Sequence, residues 1–228
     1  MNMIKGLIKK DLLNLSSYKA SLIIVVFCCG IAIISTGSIN YGPIIICTIL
    51  GMISLSTFNY DEISKSNKYI LGLPTSKKEI ITAKYILSIG ATILGGILGL
   101  LLTILVANVM NYFRPEELIN INYESLITTT IGGMWGVSLI QAIQIPSIYK
   151  WGAEKGRIQM FILLFILILA ILGIGFLIMK TNLSININLE MIESFMNKFG
   201  IALLFLLMVV MFFISYKISY KIYKNKEE

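Results

Sequence analysis

The sequence of 228 residues contains no histidine, and only 14% of its residues are charged. Histidine is the commonest zinc ligand and general base in proteins, so its absence removes the usual route to metal-assisted or acid–base catalysis. The nucleotide-binding pattern G-x-x-x-x-G-K-S/T is also missing. We therefore predict a non-catalytic chain that has no metal site and binds no cofactor of its own.

Hydrophobic residues, in contrast, make up 57% of the chain. Soluble domains carry roughly 25% charged residues, and a helix that crosses a bilayer needs about 20 mostly apolar residues. Six runs come close to that length. They predict an all-α, polytopic membrane protein with a single transmembrane domain over residues 1–228 and spans at about 18–36, 42–58, 85–109, 125–148, 158–179 and 200–219.

The few charges are distributed unevenly between the two sides of such a topology. If the N-terminus is inside, all of the 19 Lys and Arg residues except Arg114, Lys180 and Lys198 fall in inner segments. Because inner loops are enriched in basic residues, we expect a multi-pass protein of the cytoplasmic membrane with both termini in the cytoplasm. The net charge of +7 then reflects topology, and no nucleic-acid partner is expected.

The longest polar interruption is the stretch 59–84. It predicts a short helical segment over 60–70, a break at 72–74, and a new helix that is capped by Thr75 or Ser76 and has Glu79 in its first turn. Residues 1–15 place apolar and lysine side chains on different sides of a helix, which predicts an elbow helix lying in the inner interface. A basic flank without further function is the alternative reading.

Small and amide side chains occur in the third and fourth predicted spans. Gly95 with Gly99, and Gly132 with Gly136, have the small-xxx-small spacing that allows close helix packing, either within the protomer or at a helix interface that moves during transport. Gln141 and Gln144, with Trp135 deeper in the same span, either line a transport pathway or make hydrogen bonds between helices. No Asp or Glu lies inside a predicted span, which argues against a carrier coupled to protons through carboxylates.

Three segments resemble the membrane subunits of ABC-2-type ATP-binding cassette exporters, in particular small six-helix permeases similar to those of the phenol-soluble-modulin peptide exporter. The segments are KGLIKKDL at 5–12, FNYDEISKSNKYILGLPTSKKEIITAKY at 58–85 and PSIYKWGAEKGR at 146–157. The resemblance implies a permease that exports amphipathic or antimicrobial-type peptides, with a second permease subunit, identical or related, and a separate ATPase that holds ATP and Mg.

The resemblance also implies which residues contact the ATPase. The interface would comprise the elbow helix and a coupling helix in the first inner loop, with Lys5, Lys9, Asp11, Asp61, Glu62, Lys65, Lys68, Tyr69, Ile70, Leu73, Pro74, Lys77, Lys78 and Glu79. The second inner loop would add Tyr149, Lys150, Glu154, Lys155 and Arg157.

Two other classes of protein fit six spans without active transport. One is a membrane protein that captures a small vitamin-like molecule from outside, although the short external segments offer little room for its pocket. The other is an immunity or sensor protein that sequesters a toxic peptide in the membrane. Recovery of a stoichiometric ATPase with the purified chain would favour the exporter over both.

Overall fold

The computed structural model describes residues 3–16, 23–24, 27, 30–31, 39–66, 75–113, 121–181 and 189–225. Within these residues six helices have defined bounds: α1 Met3–Leu15, α2 Tyr41–Ile63, α3 Lys77–Phe113, α4 Tyr123–Trp151, α5 Ala153–Thr181 and α6 Leu189–Lys224. The predicted first span is described at five positions only. These are helical, and four of them carry large exposed apolar side chains, Ile23, Ile24, Phe27 and Ile31.

The helices confirm the predicted all-α, membrane-spanning class. In the described part of the chain, four helical segments are long and apolar enough to cross a bilayer: Tyr41–Ile63, Lys77–Phe113, Tyr123–Trp151 and Ala202–Lys224. These segments lie in α2, α3, α4 and α6, and these helices contain, in that order, the predicted second, third, fourth and sixth spans. The predicted fifth span lies within α5. At 1.5 Å per residue α3 is about 55 Å long, so it extends beyond a hydrocarbon core of about 30 Å.

α4 lies at the centre of the bundle. It contacts α2, α3, α5 and α6, while α2 and α3 also pack on each other and α1 lies across both. We call one end of this bundle the charged end. It brings together α1, the last turn of α2, the first turns of α3, the α4–α5 junction and the last turns of α6.

Two glycines bring α2 and α3 into close contact. A Cβ at Gly95 would lie 3.0 Å from the Cα of Cys47, and one at Gly99 would lie 2.9 Å from the Cα of Pro43. The spacing of this pair therefore serves helix packing, as predicted. Gly132 and Gly136 show no such packing among the described residues, because a Cβ at either position would meet none of their atoms within 4 Å.

Two segments that the sequence predicts to lie on the inner side differ from their predicted form. The separate helix predicted over 60–70 does not begin at 60, because α2 continues to Ile63 and ends in a turn in which Lys65 adopts a left-handed conformation with φ of 50°. The second inner loop is reduced to Gly152 alone, since α4 extends to Trp151 and α5 begins at Ala153. The backbone of Gly152 has φ of 89°, a value that favours glycine.

The α2–α3 contact can be tested by adding one methyl group. Gly99→Ala should destabilise the protein by about 1–3 kcal/mol, because the new Cβ meets backbone atoms of α2 that cannot move aside. Gly90→Ala is the matched control on the same helix. The new Cβ would meet no atom of the described residues within 4 Å, so this variant should be neutral or stabilising by up to about 1 kcal/mol. Unfolding of the detergent-solubilised variants measures both, and equal effects would contradict the packing.

Candidate functional site

The charged end is built around the ammonium group of Lys84, which is buried. Its Nζ lies 2.9 Å from Oδ2 of Asp11 on α1 and 2.6 Å from Oδ2 of Asp61 on α2. It also donates to Oγ1 of Thr57 at 3.1 Å and lies 4.9 Å from the ring centre of Phe58. One lysine of α3 therefore forms ion pairs with both α1 and α2.

Lys10 completes the cluster from its rim. Its ammonium group donates to Oδ1 of Asp61 and lies 3.3 Å from Oδ1 of Asp11, and Ser66 donates to the same oxygen of Asp61. Burial alone would lower the pKa of Lys10, but the carboxylates of Asp61 and Asp11 outweigh it and raise the pKa. Two lysines thus balance two aspartates.

The cluster is stable only while all of its charged members are present. Moving an ion out of water costs several kcal/mol, and only close partners of opposite charge offset that cost. Asp11 is 1% exposed, Asp61 4% and Lys84 5%. If one partner is removed, the others remain buried without compensation, so the cluster acts as a unit that fixes α1 on α2 and α3.

An aromatic layer lies beside the ions. The buried ring of Tyr149 meets Phe58 and Tyr223 edge to face, with ring centres 5.5 and 5.3 Å apart. A cavity of about 170 Å³ lies between this layer and the ions, and Asp61, Glu62 and Lys84 form part of its wall. That volume has room for a few water molecules.

Glu62 connects the end of α2 to the start of α5. Its Oε2 accepts a hydrogen bond of 2.7 Å from the backbone N–H of Ala153, the first residue of α5. A carboxylate is favourable there because unpaired N–H groups give a helix start partial positive charge. A Cβ at Gly152 would lie 3.0 Å from Oε1 of Glu62, so glycine also provides the space for this contact.

The first turn of α3 has the predicted cap. Ser76 donates to Oε2 of Glu79 from its backbone nitrogen at 2.8 Å and from its hydroxyl at 3.0 Å, and the backbone N–H of Glu79 donates back to that hydroxyl at 3.3 Å. This reciprocal arrangement is a capping box, which satisfies N–H groups that a helix start leaves unpaired. It confirms Ser76 as the N-cap, and it engages the carboxylate of Glu79 in hydrogen bonds with Ser76.

Polar side chains deeper in the bundle hold α2, α3 and α4 together. The Nε2 of Gln141 donates to the carbonyl oxygens of Gly51 at 3.0 Å and Ser88 at 3.4 Å, and its Oε1 accepts from Thr92 at 3.1 Å. Gln141 is 0% exposed. In this conformation it makes hydrogen bonds between helices, the second of the two roles considered for it.

Gln144 and Trp135 are less well satisfied. The Oε1 of Gln144 and the Nε1 of Trp135 are buried, and neither has a hydrogen-bond partner among the residues described. The two side chains lie nine positions apart on α4, which places them on opposite sides of that helix. No common pathway surface follows from their positions.

A second polar connection joins α6 to α3 and α4. The hydroxyl of Tyr85 lies 2.6 Å from that of Ser215 and 2.8 Å from that of Ser219. Ser215 donates to the carbonyl oxygen of Ala142 at 2.7 Å. Since Pro146 has no N–H to donate to that carbonyl four residues earlier, the serine replaces the missing helical bond.

Comparison with protein-family models identifies what kind of protein has this architecture. A model described as ABC-2 family transporter protein matches residues 6–224. The chain belongs to the ABC-2 family of transporter proteins. It is therefore a membrane permease of an ABC transporter, and membership implies an ABC ATPase as its partner. Comparison with curated proteins and with solved structures found no match.

The residues predicted to contact the ATPase occupy three kinds of position in this ABC-2 protein. Asp11, Asp61 and Tyr149 are buried and make the internal contacts given above. The exposed side chains at the charged end are Lys5, Lys9, Glu62, Lys65, Lys78, Lys150, Glu154 and Lys155, with Lys77 and Glu79 half-buried. Lys68, Tyr69, Ile70, Leu73 and Pro74 lie outside the described residues, and Arg157 is described only as part of α5.

A groove separates the end of α2 from the start of α5. Its volume is about 600 Å³, and its lining combines the carboxylates of Glu62 and Glu154 with Ile63 and Ile158. Ile63 is 82% exposed and Ile158 57%. The groove is thus acidic and apolar, while most exposed charges at this end are lysines.

The role of Lys84 was not predicted from the sequence of this ABC-2 protein. Lys84 was counted as an inner basic residue and as part of the motif at 58–85, and Lys10 as part of the elbow helix, but no ion pair was predicted for either. A signal was nevertheless present, because Asp11 and Asp61 are acidic residues in segments otherwise rich in lysine. Ser215 and Ser219 were also missed, although their i, i+4 spacing in an apolar helix marks one polar face.

Removing Lys84 should destabilise the ABC-2 protein strongly. We expect Lys84→Met to cost about 3–5 kcal/mol, because Asp11 and Asp61 then remain buried with Lys10 as their only cation in the cluster. Lys5→Met, an exposed lysine of α1 without a described ion pair, is the matched control and should change stability by less than about 0.5 kcal/mol. Unfolding in detergent compares the two, and similar losses would refute the cluster's role.

Proposed function

We propose that this ABC-2 protein is the membrane-spanning subunit of an exporter whose ATPase docks on the charged end. The observation that carries the proposal is that the separate polar segments meet at one place: α1, the two ends of the α2–α3 connection and the α4–α5 junction. A docking partner would contact all of them at once. The conclusion rests on the family match together with this convergence.

The buried cluster and the exposed rim would have different tasks. The ion pairs of Asp11, Asp61 and Lys84 stay inside the subunit and keep α1 fixed. Exposed lysines such as Lys9 and Lys65 remain available to a partner, and charges at the edge of an interface steer association and fix its register. The resemblance adds Tyr69, Ile70 and Leu73, between α2 and α3, as apolar anchors.

Such an arrangement would transmit movement efficiently. Force applied to α1 or to the α2–α3 connection reaches α2 and α3 through buried ion pairs, and it reaches α5 through the Glu62–Ala153 hydrogen bond. Switches between two packings usually move rigid elements in this way. We propose that closure of two ATPase subunits tilts two permease subunits, identical or related, against each other.

For the cargo we propose amphipathic peptides, as the resemblance to phenol-soluble-modulin exporters implies. The groove between α2 and α5 supports this class, because Glu62 and Glu154 complement positive charge while Ile63 and Ile158 complement an apolar face. Amphipathic helices bind grooves through the same combination. A peptide lying on the inner leaflet could enter it laterally.

The docking proposal predicts a specific loss of the partner. When the chain is co-expressed with a cognate ATPase, Lys9→Glu combined with Lys65→Glu should weaken the complex by roughly a hundredfold, because like charges would then face each other in the interface. Both lysines are exposed, so the stability of the chain should not change. Glu124→Lys, at the opposite end of α4, is the control and should co-purify normally.

Transport measurements separate the cargo from the partner. Vesicles containing the permease and its ATPase should accumulate a cationic amphipathic peptide when ATP is present. Ile158→Ser, which changes the apolar side of the groove and none of the residues assigned to the ATPase, should reduce that accumulation while ATPase binding persists. Retention of the ATPase by the double lysine variant would contradict the docking site. Absence of ATP-dependent peptide movement in the intact complex would contradict the cargo.

A further inference from the structure

The last turns of α6 and the first turns of α3 form one continuous surface. The two helices run antiparallel here, with the hydroxyl oxygens of Thr82 and Tyr216 3.1 Å apart and the ammonium of Lys78 5.6 Å from the ring centre of Tyr220. Lys217 and Lys221 extend this surface on α6, and both are exposed. We call these residues, Lys78, Tyr216, Lys217, Tyr220 and Lys221, the lysine–tyrosine face.

We propose that the lysine–tyrosine face binds the phosphate group of an anionic phospholipid in the leaflet at the charged end. Ammonium groups and phenolic hydroxyls both donate hydrogen bonds to phosphate oxygens, and lysine supplies the charge. Lys78 is shared with the ATPase interface that the resemblance implies, whereas Tyr216, Lys217, Tyr220 and Lys221 have no part in the proposed ATPase docking or peptide cargo. Lipid binding at this face would give the permease a dependence on membrane composition.

Along one side of each helix, the exposed side chains near the lysine–tyrosine face change from apolar to basic. Phe213, Lys217 and Lys221 follow one another at intervals of four residues on α6, so they lie on one side of it. Phe213 is 58% exposed, and the ammonium of Lys217 lies 4.5 Å from its ring centre. On α3, Ile86 is 47% exposed two turns after Lys78. Acyl chains can cover Phe213 and Ile86 while the lysines meet the headgroup.

The depth of the lysines also favours a lipid. Lys217 and Lys221 lie within two residues of the predicted end of the sixth span at residue 219, and Lys78 lies seven residues, or about 10 Å, before the predicted third span begins at residue 85. The headgroup layer is about 5–8 Å thick on each side of a bilayer. Lysines flanking a span extend their charged ends to this level, and tyrosine is enriched there. The face therefore lies where lipid phosphates are concentrated.

The charge of the face is not balanced by α6 itself. No Asp or Glu occurs from residue 201 to the end of that helix. Lys217 and Lys221 are spaced at i, i+4, where like charges repel each other. Glu79, the acidic residue nearest to Lys78 in sequence, is engaged by Ser76 in the capping box. A bound anion would relieve this repulsion.

Lipid titration of the purified chain tests the proposal. Native mass spectrometry would count phosphatidylglycerol and phosphatidylcholine retained at matched concentrations, and we expect selective retention of phosphatidylglycerol. Lys217→Gln combined with Lys221→Gln should weaken that retention by about fivefold per lysine. Lys150→Gln combined with Lys155→Gln removes the same charge at the same end and should retain the lipid.

Each outcome decides the assignment. Equal retention of phosphatidylglycerol and phosphatidylcholine would overturn the proposal, because the binding would then not depend on the charge of the lipid. Equal loss in the two double variants would also overturn it, because any lysines at this end would then attract the lipid equally. Displacement of the lipid by millimolar inorganic phosphate would show that the face prefers a soluble anion and would also overturn it. Tyr220→Phe gives a second test that leaves the charge unchanged, and it should lower phosphatidylglycerol retention without lowering stability.

Discussion

The structure of the charged end depends on one buried lysine. Lys84 is stable in the interior only because carboxylates from α1 and α2 reach it, at 2.9 and 2.6 Å. Because stranding any of these charges would cost several kcal/mol, α1 cannot separate from the bundle without breaking the cluster. A helix of 13 residues that would be marginally stable alone becomes a fixed part of the subunit.

The same end of the molecule combines a rigid interior with a varied exterior. Beneath the ions, Gln141 joins α2, α3 and α4, and Tyr85 joins α3 to α6 through Ser215 and Ser219. Above them lie a lysine-rich rim, an acidic groove and the lysine–tyrosine face. Under the proposed function, this distribution of polar contacts would let a partner move the subunit as a stiff lever from one side. α5 is attached differently, through its packing on α4, the single residue Gly152 and the carboxylate of Glu62.

Sequence reasoning succeeded where a signal is local. Hydropathy located the second, third, fourth and sixth spans, and the cap of α3 was found at Ser76, one of the two predicted positions. It failed where the outcome depends on how helices pack. Lys84 and Asp11 are 73 positions apart, so nothing near either residue identifies the other as its partner. Tyr149 has charged and polar neighbours in sequence and was assigned to a loop, but α4 continues past it and directs its ring between Phe58 and Tyr223. The sequence left two roles open for Gln141, because its hydrogen-bond acceptors are the carbonyls of Gly51 and Ser88 on two other helices.

The central claim is that the charged end faces the ATPase in the cytoplasm, and labelling by a membrane-impermeant maleimide tests it most directly. Lys65→Cys and Glu124→Cys would be introduced separately into a chain whose Cys28, Cys29 and Cys47 are replaced by serine. Lys65→Cys should react in inside-out vesicles and be protected when the ATPase is bound, whereas Glu124→Cys should react in right-side-out vesicles. Labelling of Lys65→Cys from the outside, or labelling that bound ATPase leaves unchanged, would contradict the account.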